Sequence, residues 1–144
     1  MNTITATPAT ASRAGAHDLV SYAALLLRVT LGATLLTHGL IKLFVFTLPG
    51  TAAFFSSVGF PGWTAYIVAP AEALGGLALI VGFQTRWVAI ATLPILLGAM
   101  SVHIHNGYTF SNANGGWEYP LFLVAAAVLA ALLGGGRYAL TRSA

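Results

Sequence analysis

The chain has 144 residues, of which 6% are charged and 58% hydrophobic, with a mean hydropathy of +0.85; this excludes an ordinary soluble domain and bounds the fold to one unit. It contains no cysteine, which excludes disulfides, thiolate metal sites, cysteine-held iron–sulfur clusters and thiol relays. The net charge of +3 comes from few side chains without a basic run, so nucleic acid is not an expected partner.

In chain order, residues 1–18 are rich in Thr and Ala and are expected to form a mobile cytoplasmic tail. A transmembrane domain is expected over residues 19–138 and a second cytoplasmic tail over 139–144. The first span runs from about Leu19 to Leu48, longer than the roughly 20 residues that cross a bilayer core. Pro49 and Gly50 are expected to end it. Ala52, Phe54, Phe55 and Val58 then suit a short helix on the membrane surface, closed by Gly59 and Pro61. The second span covers about Trp63 to Phe83. It contains Pro70 and the pair Gly75 and Gly76, which permits close backbone approach.

Gln84, Thr85 and Arg86 form a short connection to the third span, about Trp87 to Val102, which contains Pro94. A polar loop with turn signals at Asn106-Gly107 and Asn114-Gly115-Gly116 follows. The fourth span covers about Tyr119 to Leu133 and stops at three glycines. Ala126, Ala130 and Gly134 recur every four residues, a pattern that suits a helix-packing edge.

Four spans place both termini on one side, together with Arg13, Arg86, Arg137 and Arg142. The opposite loops lack Lys and Arg, so the positive-inside rule puts both termini in the cytoplasm. Trp63, Tyr66, Tyr108, Trp117 and Tyr119 then mark the outer interface, and Tyr22, Trp87 and Tyr138 the inner one. The expected fold is all-α, an integral membrane four-helix bundle in a cytoplasmic membrane.

The segments LLLRVTLGATLLTHGLIKLF, GTAAFFSSVGFPG, PAEALGGLALIVGFQTRW, SVHIHNGY and GGWEYPLFLVAAA occur in this order. Their order and spacing resemble the DoxX family of small bacterial and archaeal four-helix membrane proteins, from about Leu25 to Tyr138. The resemblance implies a four-helix bundle and a loose association with redox chemistry. A related branch forms the large membrane subunit of a thiosulfate:quinone oxidoreductase, and other members are linked to thiol and oxidative-stress systems.

The residues that carry chemistry are ionisable groups inside apolar runs. A charge at the centre of a membrane helix costs about 2.5–3.5 kcal/mol on insertion scales, so such groups usually face the protein interior and pair. Arg28, Leu35, His38 and Lys42 share one side of the first helix. Arg28 and Lys42 differ in depth by about 21 Å. Glu72, near the middle of an antiparallel second helix, comes closer in depth to His38 than to Arg28. On the structural reading, Glu72 pairs with Lys42 or His38 and fixes helix packing, while Arg28 and Lys42 snorkel toward the interfaces. On the functional reading, His38, Lys42 and Glu72 form a ligand site in the outer half, with His103 and Glu118 at its mouth.

Intramembrane Glu and His suit proton transfer, and a His–carbonyl hydrogen bond suits a quinone. Arg28 and Arg86 are assigned structural roles. His103 and His105 point nearly opposite ways on a helix and would converge on a metal with His38 and Glu118 only in extended chain, so no metal is assigned. A haem between His38 and His103 lacks a c-type attachment motif.

The function expected is that of a subunit or accessory of a quinone-linked oxidoreductase system. Quinone is the candidate cofactor, and the lipid bilayer, a redox protein and a second copy of the chain are the candidate partners. No catalytic residue is assigned. The alternatives are a non-enzymatic membrane scaffold and a small-solute or proton pathway.

Overall fold

The computed structural model describes residues 8–141, with side chains from residue 15 onward. Arg13, Arg142 and residues 1–14 of the expected N-terminal tail lie outside the described side chains. Five α-helices follow one another: α1 (Pro8–Leu40), α2 (Thr47–Ser57), α3 (Ala65–Val81), α4 (Thr85–His103) and α5 (Glu118–Leu133). No strand occurs among the described residues. Helix α1 begins well before the expected Leu19, and residues 8–18 are already helical.

The first span also ends differently from the expectation. After Leu40 the backbone widens into a π-helical turn, Ile41–Val45, closed by the Phe46 N–H donating to Ile41 O at 2.9 Å. Thr47 then takes a left-handed conformation with φ 61° and starts α2. Pro49 and Gly50 lie in the first turn of α2 instead of terminating α1. That position suits proline, because the first N–H groups of a helix have no intrahelical partner.

Helices α1 and α3 approach until glycines are required. A Cβ on Gly39 would lie 2.9 Å from Ala69 O, and one on Gly32 would lie 2.7 Å from Gly76 O. A Cβ on Gly76 would run into the backbone of Leu36. Small residues of this kind let helix backbones pack without the hydrophobic effect as the driving force. Gly76 therefore supplies the close approach expected of the Gly75-Gly76 pair. On the other side, Ala126, Ala127 and Ala130 of α5 are buried with Leu96 and Ala89 of α4 and with Leu31, Leu35 and Leu79. The four-residue repeat Ala126, Ala130, Gly134 does lie on a buried edge.

The exterior is apolar and the interior partly polar. Leu19, Phe44, Trp87 and Leu132 are exposed, whereas Arg28 is among the largest fully buried side chains. Segments Gly15–Val45, Gly62–Val81 and Thr85–Asn106 are long and apolar enough to cross a membrane. Helix α5 is apolar but has 16 residues, about 24 Å of rise against roughly 30 Å of hydrocarbon. It packs against α4, between the loop of residues 104–117 at one end and residues 134–141 at the other. We call these the loop end and the terminal end.

The terminal end is closed by Arg28 and by residues 134–141. Gly82 ends α3 in a left-handed conformation, φ 75°, and the Phe83 N–H donates back to Ala78 O at 2.8 Å. This is a Schellman closure. The next carbonyls also find donors. Arg28 Nη1 donates to Leu79 O at 2.9 Å and to Ile80 O at 2.5 Å. Leu140 N–H donates to Val81 O, and Thr141 N–H to Gly82 O, each at 3.1 Å. Arg28 Nε and Nη2 donate to Gly135 O at 2.7 Å and Arg137 O at 3.1 Å. Arg28 therefore does not snorkel. It stays buried because carbonyls of the α3 terminus and the chain after α5 supply its acceptors, and the negative end of the α3 dipole favours it. Residues 139–141, expected in a tail, are held on the α3–α4 turn by the same network.

Candidate functional site

A cavity of about 450 Å³ lies at the loop end. Thr34, Leu35 and His38 of α1 line it together with Lys42 of the π turn and Val68 and Glu72 of α3. Pro94, Gly98, Val102 and His103 of α4 face them, and Tyr119, Pro120 and Leu123 of α5 complete that wall. Phe54, Phe55 and Val58 of α2, with Phe60 after it, add an aromatic side. The lining is mostly apolar with few convergent polar groups, and the size is within the usual range of small-molecule sites, about 300–1,000 Å³.

The polar centre of this cavity is an ion pair. Lys42 Nζ donates to Glu72 Oε2 at 2.5 Å, with the two side chains 21% and 6% exposed. Two local features place Lys42 there. The glycine contacts bring α1 onto α3, and the π turn adds a residue to the helical turn that carries Lys42. The altered ladder at that turn is supported by the Thr51 hydroxyl, which donates to Lys42 O at 3.1 Å. Of the two partners expected for Glu72, Lys42 makes the direct contact. His38 lines the same cavity, and its ring lies 6.4 Å from that of Tyr119.

His103 ends α4 on the same cavity. Its Nδ1 lies 3.0 Å from Asn114 O and 3.3 Å from Gly115 O. Carbonyls only accept, so Nδ1 carries the proton, and the lone pair of the neutral ring is on Nε2. Glu118 is not in this cavity. It lines an adjoining cleft of about 760 Å³ with His38, Tyr108, Phe110, Tyr119 and Phe122. Glu118 Oε1 accepts the Phe110 N–H at 2.6 Å. His38 and Tyr119 belong to both spaces. Arg86 stands exposed in the first turn of α4 and lines neither space. No three His, Asp or Glu side chains converge as a metal site among the described residues.

Four of the five expected ligand residues, His38, Lys42, Glu72 and His103, thus line one cavity, and Glu118 lies next door. Thr51 and Tyr119 join the site without a sequence signal for it. Tyr119 was assigned to the membrane interface, and Thr51 has a role only because the π turn leaves the Lys42 carbonyl in need of a donor. Phe54 and Phe55 line the cavity, although membrane anchoring was the leading expectation for them.

A family model described as DoxX matches residues 23–106. That stretch contains Arg28, His38, Lys42, Glu72 and His103 and stops before Glu118. A protein of Bacillus subtilis (strain 168) named "Putative oxidoreductase CatD" is 40% identical over 76 residues, 53% of this chain and 55% of that protein. The chain therefore spans about half the length of that relative. No solved structure matches. With more than half of its residues matched, and with apolar helices that fit a bilayer, the chain belongs to the DoxX family of membrane proteins.

Proposed function

We propose that the cavity holds the ring of a lipid-soluble, quinone-like molecule, and that the protein serves a quinone-linked oxidoreductase system in the cytoplasmic membrane. The observation that carries this reading is the Lys42–Glu72 pair on the wall of an otherwise apolar cavity, with His38 beside it. A quinone carbonyl accepts hydrogen bonds, and Lys42 and His38 are donors in reach of the same space. Glu72 holds the Lys42 charge and gives the site a proton acceptor. The aromatic side chains of α2 suit a flat ring, and the exposed apolar surface around α2 and α4 suits a tail in lipid. The relative's printed name points to oxidoreductase chemistry in the family.

When bound, the quinone supplies the electron-accepting or electron-donating chemistry. The chain's own residues bind and orient it, exclude water and hold a proton at Glu72 or His38. A redox partner protein is part of the proposal. So is a fourth crossing by α5, which packs against the spanning α4; a short span is accommodated by local thinning of the bilayer. In this reading the terminal end, which carries Arg86 and Arg137, faces the cytoplasm, as the positive-inside rule favours.

The test is crosslinking with a photoreactive quinone in native lipid. Label is expected on peptides of α1 and α3 at the loop end, lost with excess unlabelled quinone and reduced in His38→Ala. Label that resists competition, or survives the combined His38→Ala and Lys42→Ala change, leaves the pair as a packing device of a scaffold. That second reading has its own support, since Lys42 and Glu72 satisfy each other without a ligand.

A further inference from the structure

The cleft beside the main cavity has a different chemistry. Five of its six lining side chains are rings, His38, Tyr108, Phe110, Tyr119 and Phe122, and the sixth is Glu118. Rings meet at its rim: Phe110 lies edge-on to Tyr119 at 6.4 Å, and Tyr108 edge-on to Trp117 at 4.8 Å. Glu118 is the one carboxylate lining the cleft. Its Oε1 is taken by the Phe110 N–H, and Oε2 has no partner among the described residues. The nearby Lys42 charge is already matched by Glu72.

The loop that supplies two of these rings is built, not draped. Trp117 N–H donates to Gly107 O at 3.2 Å, and Glu118 N–H to Tyr108 O at 3.1 Å. Asn112 Nδ2 donates to Asn106 O at 2.9 Å, and His103 pins the loop through Asn114 O. Ring walls with one free carboxylate oxygen are the arrangement that favours an organic cation over an anion or a neutral molecule. The quadrupoles of the four Tyr and Phe rings attract positive charge, the carboxylate adds to them, and the apolar ring surface suits alkyl groups better than a hydrated metal ion.

We propose that this cleft is a binding site for an alkylammonium group, separate from the quinone-like ligand of the main cavity. The same chemistry is carried by a soluble quaternary amine and by a choline lipid headgroup at the membrane surface. The proposal does not depend on what occupies the main cavity.

Trp117 packs on Tyr108 and serves as the reporter once the exposed Trp63 and Trp87 are replaced by Phe. Tetramethylammonium chloride is titrated against that full-length variant in neutral detergent, with sodium chloride at equal ionic strength as control. A saturable fluorescence change is expected for tetramethylammonium alone. Glu118→Gln keeps an oxygen for the Phe110 N–H while removing the charge, so the loop stays folded and affinity falls about tenfold. Phe110→Leu removes a ring and weakens binding similarly. The absence of saturation, or equal affinity in Glu118→Gln, overturns the site. The same titration in nanodiscs then names the source. A response abolished in phosphatidylcholine but kept in phosphatidylglycerol supports a lipid headgroup as occupant. Equal responses in both support a soluble amine.

Discussion

Lys42 and Glu72 join α1 to α3 through a single 2.5 Å contact, at the point where α1 widens into its π turn. Glu72 is the more enclosed partner. Removing Lys42 or Glu72 alone leaves a charge facing an apolar cavity, whereas removing both leaves none. Lys42→Met and Glu72→Leu are each expected to destabilise the protein by about 2–4 kcal/mol. The double change should recover at least half of the summed loss. A double-mutant cycle on unfolding in bicelles measures this, and additive single effects would dissolve the pairing.

Arg28 makes four hydrogen bonds, all to main-chain carbonyls. A lysine retains the charge but offers three donors from one point, so it cannot serve acceptors on both α3 and the chain after α5. Arg28→Lys is expected to cost about 2 kcal/mol and Arg28→Leu more. The local signature is faster hydrogen exchange at Leu140 and Thr141, whose amides bond to Val81 and Gly82. Unchanged exchange there in Arg28→Lys would mean that residues 134–141 are held by something else.

The glycines divide into two classes. Gly39 and Gly76 abut the backbone of the facing helix, so a methyl group cannot be absorbed by a side-chain shift. Gly39→Ala is expected to cost about 1–3 kcal/mol through overpacking and to weaken the Lys42–Glu72 contact. Gly50, whose added Cβ meets only Thr47 Oγ1 at 3.5 Å, should accept alanine with little change. Thermal unfolding of the two variants in one detergent provides the comparison.

Much of this was legible in the residues. Apolar runs locate the helices, because a bilayer tolerates little else, and charges inside those runs point to a shared interior. Helix rise alone sets Glu72 apart in depth from Arg28, and Glu72 meets Lys42 while Arg28 meets the α3 terminus. What could not be read was set by details of main-chain geometry. The π turn and left-handed Thr47 have no reliable local signature, so Pro49 and Gly50 looked like an end when they are a beginning. Gly32 and Gly39 are seven residues apart in a helix that could have presented them to any neighbour. The buried place of Arg28 could not be told from snorkelling, because its acceptors are backbone carbonyls brought together only by folding, some over 100 residues away. Glu118 was placed at the mouth of the same site, but its tie to Phe110 fixes it in the adjoining cleft.

Side assignment follows from the separation of the two ends. The chain has no native thiol, so introduced cysteines report without background. A cysteine at Ser111, exposed in the loop before α5, is expected to react with a membrane-impermeant maleimide on intact cells. One at Gln84, exposed in the α3–α4 turn, should react only after the membrane is opened. The opposite pattern would invert the protein, and reaction of both in intact cells would remove the membrane barrier between the two ends.

Gly98 offers the sharpest separation of stability from ligand binding. It lines the main cavity from α4, and a Cβ there would meet only the tip of the Phe60 ring at 3.8 Å, an ordinary contact. Gly98→Ala should therefore be stabilising by about 0.5–1 kcal/mol, from the helix propensity gained over glycine. Gly98→Leu goes further and places a larger apolar side chain in the space assigned to the ring. It is expected to keep or raise the unfolding temperature while reducing competable photoreactive-quinone labelling about tenfold or more. This pairing matters because most substitutions that weaken binding also weaken the fold, and loss of both says little. A Gly98→Leu protein that is at least as stable as the parent and still labels at the parental level would show that the ligand, if bound, occupies another part of the molecule.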